Sequence, residues 1–134
     1  YTALAERLAP ERVHFLGFFN QMRMPAAYAV GDLFVLPSHY EPWGLAVNEA
    51  MCLGLPIVAS DQVGAVPDLV LSDNGWVFPV GNVQALTNVL DEALEDRDGL
   101  SRKGAASRKR IADWDIPHTA DGFVRAAKAV ASAS

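Results

Sequence analysis

Three apolar runs constrain this chain more than any other feature: Val13-His14-Phe15-Leu16-Gly17-Phe18, Leu33-Phe34-Val35-Leu36 and Pro56-Ile57-Val58-Ala59-Ser60. They are continuous rather than alternating. Alternation marks a sheet with one wet face, whereas continuous runs mark strands covered on both faces, the habit of parallel sheets. Helical spacing fills the intervals. Leu4 to Leu8 reads as the end of a helix, Met22 to Val30 as a short helix despite Pro25, and Gly44 to Leu53 as a helix stopped by Gly54 and Pro56. Val66 to Leu71 is a short helix and Gly75-Trp76-Val77-Phe78 a short strand. Val83 to Leu94, Leu100 to Ile111 and Ile116 to Ala131 are helices, the last with Pro117 near its start. The expected architecture is α/β, a parallel sheet flanked by helices within one unit spanning residues 1–134. The tail from Ala129 to Ser134 is expected to fray.

With 134 residues, 51% of them hydrophobic, the chain can bury one modest core. A formal net charge of -5 argues against nucleic acid and anionic membranes as partners. One cysteine, Cys52, excludes an internal disulfide and is expected to pack. No run approaches the ~18 apolar residues of a membrane span and no signal peptide is legible, so a cytoplasmic location is expected. The first residue is Tyr1 rather than Met, as in a fragment or a processed chain.

Ligands of open parallel sheets bind beyond the carboxyl ends of the strands. The stretch Ser38-His39-Tyr40-Glu41-Pro42-Trp43-Gly44-Leu45-Ala46-Val47-Asn48-Glu49-Ala50 follows an apolar run at such an end. Pro42 suits a first helical turn, Gly44 lets backbone approach a ligand, and the free N–H groups with the helix dipole suit a phosphate. Glu41 lies before the helix and Glu49 on its second turn, with Val47, Ala50 and Met51 turned to the core. Two carboxylates would repel a phosphate between them. They make sense as acceptors for sugar hydroxyls on either side of it. The plainer alternative, that Glu41 caps the dipole and Glu49 is a solvated helix residue, stays open on spacing alone.

These residues resemble the donor-binding, C-terminal domain of retaining glycosyltransferases built from two Rossmann-like domains (GT-B type, glycosyltransferase family 4). The family's pattern is a Glu, seven residues and a second Glu, here Glu41 to Glu49, continued by Ala50-Met51-Cys52-Leu53-Gly54-Leu55-Pro56-Ile57-Val58-Ala59-Ser60. A Gly-rich loop with Pro and an acid follows, here Gly64-Ala65-Val66-Pro67-Asp68, and then Asn74-Gly75-Trp76-Val77-Phe78-Pro79. The match covers about Val13 to Leu94. Ala65 replaces a frequent second Gly, Asp68 a frequent Glu and Trp43 the usual Phe.

The resemblance implies a nucleotide-diphosphate sugar as donor, held by Glu41, Pro42, Trp43, Gly44, Leu45, Glu49 and Gly64; His39, just ahead of the loop, is either a further donor ligand or a surface or packing residue, and neither a cofactor nor a metal is expected. Glu49 would hold the ribose, Glu41 would touch the transferred sugar as the catalytic-site carboxylate, and the amides from Trp43 to Leu45 would face the diphosphate. The full-length parent would then transfer the sugar to an acceptor with retention. The alternatives are a non-catalytic nucleotide-sugar-binding or interaction module, or a sugar-nucleotide epimerase of the same architecture. The family's upstream Arg and Lys, its acceptor domain and its first two donor-domain strands have no counterpart in these residues. The sheet would therefore be the remainder of a 3-2-1-4-5-6 order, with Val13 to Phe18 as strand 3. Strand 3 would either pair directly with Leu33 to Leu36 or leave that strand as a long apolar edge joining two chains in a symmetric dimer.

Several residues carry a functional and a structural reading together. His14 is expected to be structural and His118 solvated. His39, Glu41 and Asp61 lack tight metal-ligand spacing. The basic run from Arg102 to Arg110 is either a solvated helix face or, in a full-length enzyme, a peripheral membrane contact. Trp114 is expected to pack against the sheet or neighbouring helices.

Overall fold

The computed structural model describes residues 1–132. A central three-stranded parallel sheet is formed by β1 (Phe34–Leu36), β2 (Ile57–Ser60) and β3 (Gly75–Phe78), in the order β1-β2-β3. Phe34 stands opposite Ile57, and Ile57 opposite Gly75. Seven helices accompany it: α1 (Thr2–Leu8), α2 (Met24–Ala29), α3 (Leu45–Cys52), α4 (Val66–Leu69), α5 (Val83–Glu95), α6 (Arg97–Ile111) and α7 (Ile116–Ser132). The α/β architecture with a parallel sheet and flanking helices is as the apolar runs predict. The sequential order of the three strands also matches the later half of the doubly wound arrangement.

The core forms where the middle of the chain folds on itself. All four residues of β2 are buried, because this strand has a neighbour on each side. Val47, Ala50 and Met51 of α3 are fully buried against Ile57, Ala59, Leu69 and Val63. The helix α3 ends where the N–H groups of Gly54 and Leu55 return to the carbonyls of Met51 and Ala50. Asn74 is a buried polar residue that fixes the turn into β3. Its amide donates to the Leu69 carbonyl at 2.9 Å, and its side-chain oxygen accepts from the Leu71 N–H at 2.7 Å. Caps start the long helices: Asn82 accepts from the Ala85 N–H and Asp96 from the Gly99 N–H.

Four expectations are corrected. Val13 to Phe18 is not a strand. It pairs with neither β1 nor any other segment among the described residues, so the rearranged four-stranded sheet is not what forms. Its apolar side chains stand in solvent, Phe15 at 57% and Phe18 at 93% exposure. An apolar run becomes a strand only where a neighbour takes up its N–H and C=O groups. The edge left by β1 is also short: three residues, all half-buried, rather than a long apolar edge. Cys52 is exposed instead of packed, because the buried stripe of α3 runs through Val47, Ala50 and Met51 and leaves Cys52 outside it. Finally, Ala129 to Ser132 continue α7 instead of fraying; Ala133 and Ser134 of that tail lie outside the described residues.

Part of the basic run is exposed on the helix face, with Arg102 paired to Asp96, and part of it is engaged by the turns beside α6. Arg108 donates to the Leu53 carbonyl at 3.1 Å. Arg110 pairs with both carboxylate oxygens of Asp73 at 2.9 and 3.0 Å. Lys103 reaches the Ser72 carbonyl, with its ammonium 4.5 Å from the centre of the Trp76 ring. These contacts tie α6 across the turns that precede β2 and β3. Among the described residues no helix is long and apolar enough to cross a membrane.

Candidate functional site

Because the sheet is parallel, the carboxyl ends of β1, β2 and β3 open onto one side of the molecule, and the loops 37–44, 61–65 and 79–82 gather there. Two of these loops are stitched together. The Glu41 N–H donates to the Gln62 carbonyl at 3.0 Å, the Gly64 N–H to the Glu41 carbonyl at 2.9 Å, and the Ala65 N–H to the Trp43 carbonyl at 2.8 Å. Ser60, fully buried at the end of β2, donates its hydroxyl to the Ser38 carbonyl at 2.5 Å. The two motifs that the sequence keeps about 20 residues apart are therefore one structural unit. Gly64 is required in it: a β-carbon there would lie 2.0 Å from the Pro42 carbonyl oxygen, well inside any permitted contact.

The start of α3 has the character the sequence suggests. Gly44, the residue before the helix, adopts a left-handed conformation (φ 96°) that side chains other than glycine rarely tolerate. It turns the chain from the 41–43 loop directly into the helix. Among the described residues the N–H groups of Gly44 and Leu45 donate to no protein acceptor, as expected of a helix N-terminus open to a ligand. The Trp43 N–H is only loosely engaged, by the Glu41 carboxylate at 3.4 Å. The Trp43 indole is fixed more firmly. Its N–H donates to the Asn48 side chain at 3.1 Å, and its ring lies 5.6 Å from that of Trp114. Trp114 thus packs on this loop while remaining 42% exposed.

Glu41 and Glu49 differ in how they are held. The Glu41 backbone is locked to the 62–64 loop, and its carboxylate has only the weak Trp43 contact. The Glu49 carboxylate accepts a 2.8 Å hydrogen bond from the Tyr28 hydroxyl. Burial, and then the adjacent Glu49 carboxylate, push the Tyr28 phenol up to about 12, so it is a permanent donor at neutral pH. Sequence reasoning missed Tyr28 and Asn48. The available signal for Tyr28 was a single polar-tipped aromatic in an otherwise apolar short helix just ahead of a strand.

The other candidates fall into place unequally. Pro42 and Leu45 are exposed at the mouth of the loop, and His39 and Tyr40 are exposed on the segment leading into it. The Gly64 N–H is spent on Glu41, so what Gly64 offers a ligand is a close backbone surface rather than a donor. Asp61 accepts from the Val80 N–H at 3.0 Å and ties the second loop to the third. His14 is exposed on the unpaired segment, and His118 is exposed beside Asp115. Among the described residues no three His, Cys, Asp or Glu side chains are gathered as metal ligands.

Comparison with known proteins bears on the fold and the family. Residues 2–110 match the profile of the family described as glycosyl transferases group 1. The chain is 37% identical over 105 residues to a sulfoquinovosyl transferase of Arabidopsis thaliana, covering 75% of this chain and 20% of that protein. It is 33% identical over 106 residues to the O-antigen chain mannosyltransferase B of Escherichia coli, covering 77% of this chain and 27% of that protein. Among solved structures, sucrose-phosphate synthase from Thermosynechococcus elongatus superposes with a TM-score of 0.82 at 27% identity, over 99% of this chain and 34% of that one. HepE of Anabaena in complex with UDP-glucose superposes with a TM-score of 0.80 at 27% identity, over 96% of this chain and 35% of that one. The chain thus spans between a fifth and about a third of the length of these proteins. With the profile covering most of its length and the strand-end loops arranged as described, the chain belongs to the glycosyl transferases group 1 family.

Proposed function

We propose that this chain is the C-terminal, donor-binding part of a retaining glycosyltransferase of family 4, and that its full-length parent moves a sugar from a nucleotide diphosphate to an acceptor. The observation that carries the reading is the joined loop pair at the strand ends. The unpartnered Gly44 and Leu45 amides stand there at the start of α3, with Glu41 ahead of them and Glu49 behind. A diphosphate at the helix start leaves one carboxylate for the sugar on one side and one for the ribose on the other. The similarity to a protein crystallised with UDP-glucose supports a donor of that chemical class.

In this reading Glu49 accepts from ribose hydroxyls, Glu41 accepts from a hydroxyl of the transferred sugar, and the helix-start amides stabilise charge on the departing diphosphate. That last contribution should weigh most in the rate. Leaving-group departure and acceptor attack then share one face, with Glu41 binding rather than attacking. His39, Pro42, Trp43, Leu45 and Gly64 shape the pocket around the donor.

The test of function is Glu49→Ala in the full-length parent. Donor affinity should fall by about 1–3 kcal/mol, the scale of hydrogen bonds to a charged group lost from a site. Unchanged donor affinity and rate would remove Glu49 from the site.

A further inference from the structure

We propose that Tyr28 is a positioning residue that makes Glu49 a one-sided acceptor, holding Oε2 so that Oε1 is presented to the donor's ribose; this deepens the donor-binding reading above and rests on it.

The geometry is specific. Tyr28 is the single buried residue of α2, and the hydrogen bond to Glu49 spans 21 positions of sequence. Its ring is clamped edge-on against Phe34 of β1, with centroids 5.6 Å apart and planes at 72°. It belongs to the same buried cluster as Val47 and Met51, the residues that seat α3. The hydroxyl therefore sits on a ring that cannot swing away, and it reaches the Glu49 Oε2 at 2.8 Å. Glu49 needs such a tether. A glutamate has three side-chain torsions, and one half-buried on a helix would otherwise spread over several rotamers. A carboxylate offers about four lone-pair sites. With one taken by the phenol, the Oε1 side remains to accept from neighbouring hydroxyls in a fixed direction. The proton stays on Tyr28 throughout the physiological range, so the phenol remains a donor to Glu49.

The experiment is calorimetry on the full-length parent, first with UDP, GDP and ADP, then with the 2′-deoxy and 3′-deoxy forms of whichever binds. Tyr28→Phe keeps the ring and removes the hydroxyl. It should raise the nucleotide Kd by roughly 3- to 10-fold, less than the ~10-fold or more expected for losing a hydrogen bond made directly to the ligand by a charged group. It should also shrink the preference for the ribonucleotide over its deoxy forms, and have no further effect in a Glu49→Ala background. Loss of packing alone would lower the melting temperature and leave the ribose preference intact, which would overturn the proposal. If Glu49→Ala binds nucleotide as the wild type does, the donor-site assignment itself fails. If Glu49→Ala weakens binding but Tyr28→Phe does not, the positioning role alone fails.

Discussion

Two short apolar segments of this chain, Val13 to Phe18 and Ile57 to Ser60, meet opposite fates. The second is buried at every residue. The first stands in water, with Val13 46% and Leu16 58% exposed. Their composition does not explain the difference; their neighbours do. Ile57 to Ser60 has a parallel partner on each side and α3 packed against it. Val13 to Phe18 pairs with no strand among the described residues. The same contrast separates α3, which seats three residues in the core, from α7, which is 17 residues long and buries none. Apolar side chains mark surfaces meant for burial, but a chain can bury them only where it also brings a second surface. The middle of this chain does so, and both ends do not.

The sharpest way to test that contrast is to cut into the buried strand. Ile57→Ala should cost about 2–5 kcal/mol, since it leaves a cavity in a fully packed site. Urea denaturation reads this directly, and a loss below 1 kcal/mol would mean that β2 is far less constrained than its burial indicates. Asn74→Ala comes next. It strands the Leu71 N–H and the Leu69 carbonyl, so roughly 1–3 kcal/mol should be lost. The opposite expectation holds at the ends. Phe18→Ser and Phe123→Ser remove side chains 93% and 78% exposed, and each should change stability by no more than about 0.5 kcal/mol. A larger loss would show that these segments pack in solution and would break the comparison.

The smallest effect concerns the start of α7. Asp115 accepts from both the His118 N–H and its imidazole. These bonds hold the Asp115 carboxyl below its ordinary value, while the Asp115 hydrogen bond raises His118. The histidine's contribution is complete below its unfolded pKa of ~6.5 and lost as pH rises through its raised folded value. The carboxylate's contribution is present above its unfolded pKa of ~3.9 and lost as pH falls through its lowered folded value. The helix start is therefore best held between ~4 and ~6.5. Proton NMR of His118 should show its titration move down in Asp115→Asn; an unmoved titration would mean that the pair does not form.

Much of the candidate site's local shape can be read from the sequence alone. Glu41, Gly44 and Glu49 stand out because a strand end, a glycine and two carboxylates at fixed spacing have few structural uses together. Tyr28 and Trp114 were not legible as partners of that site, because each reaches it across a long stretch of sequence. The Tyr28 hydroxyl finds Glu49, and the Trp114 ring finds Trp43, only after β1 and α6 are in place. Cys52 was misjudged for a related reason. A small apolar residue on a buried helix can lie on either side of its stripe, and the helix rotation that decides this is set by what the helix packs against.

The sequence by itself determined the order of elements from Leu33 onward, the parallel pairing of the buried strands, the limits of α3 to within a residue and the glycine turn at its start. These follow from local rules: continuous apolar runs and the positions of glycine and proline. Only the tertiary structure decided that Val13 to Phe18 is not a strand, that the basic run of α6 clasps the turns before β2 and β3, and that Glu49 is held from α2. Each of those outcomes depends on whether a second surface is present to complete the hydrogen bonds and exclude water, and a local pattern carries no record of that surface.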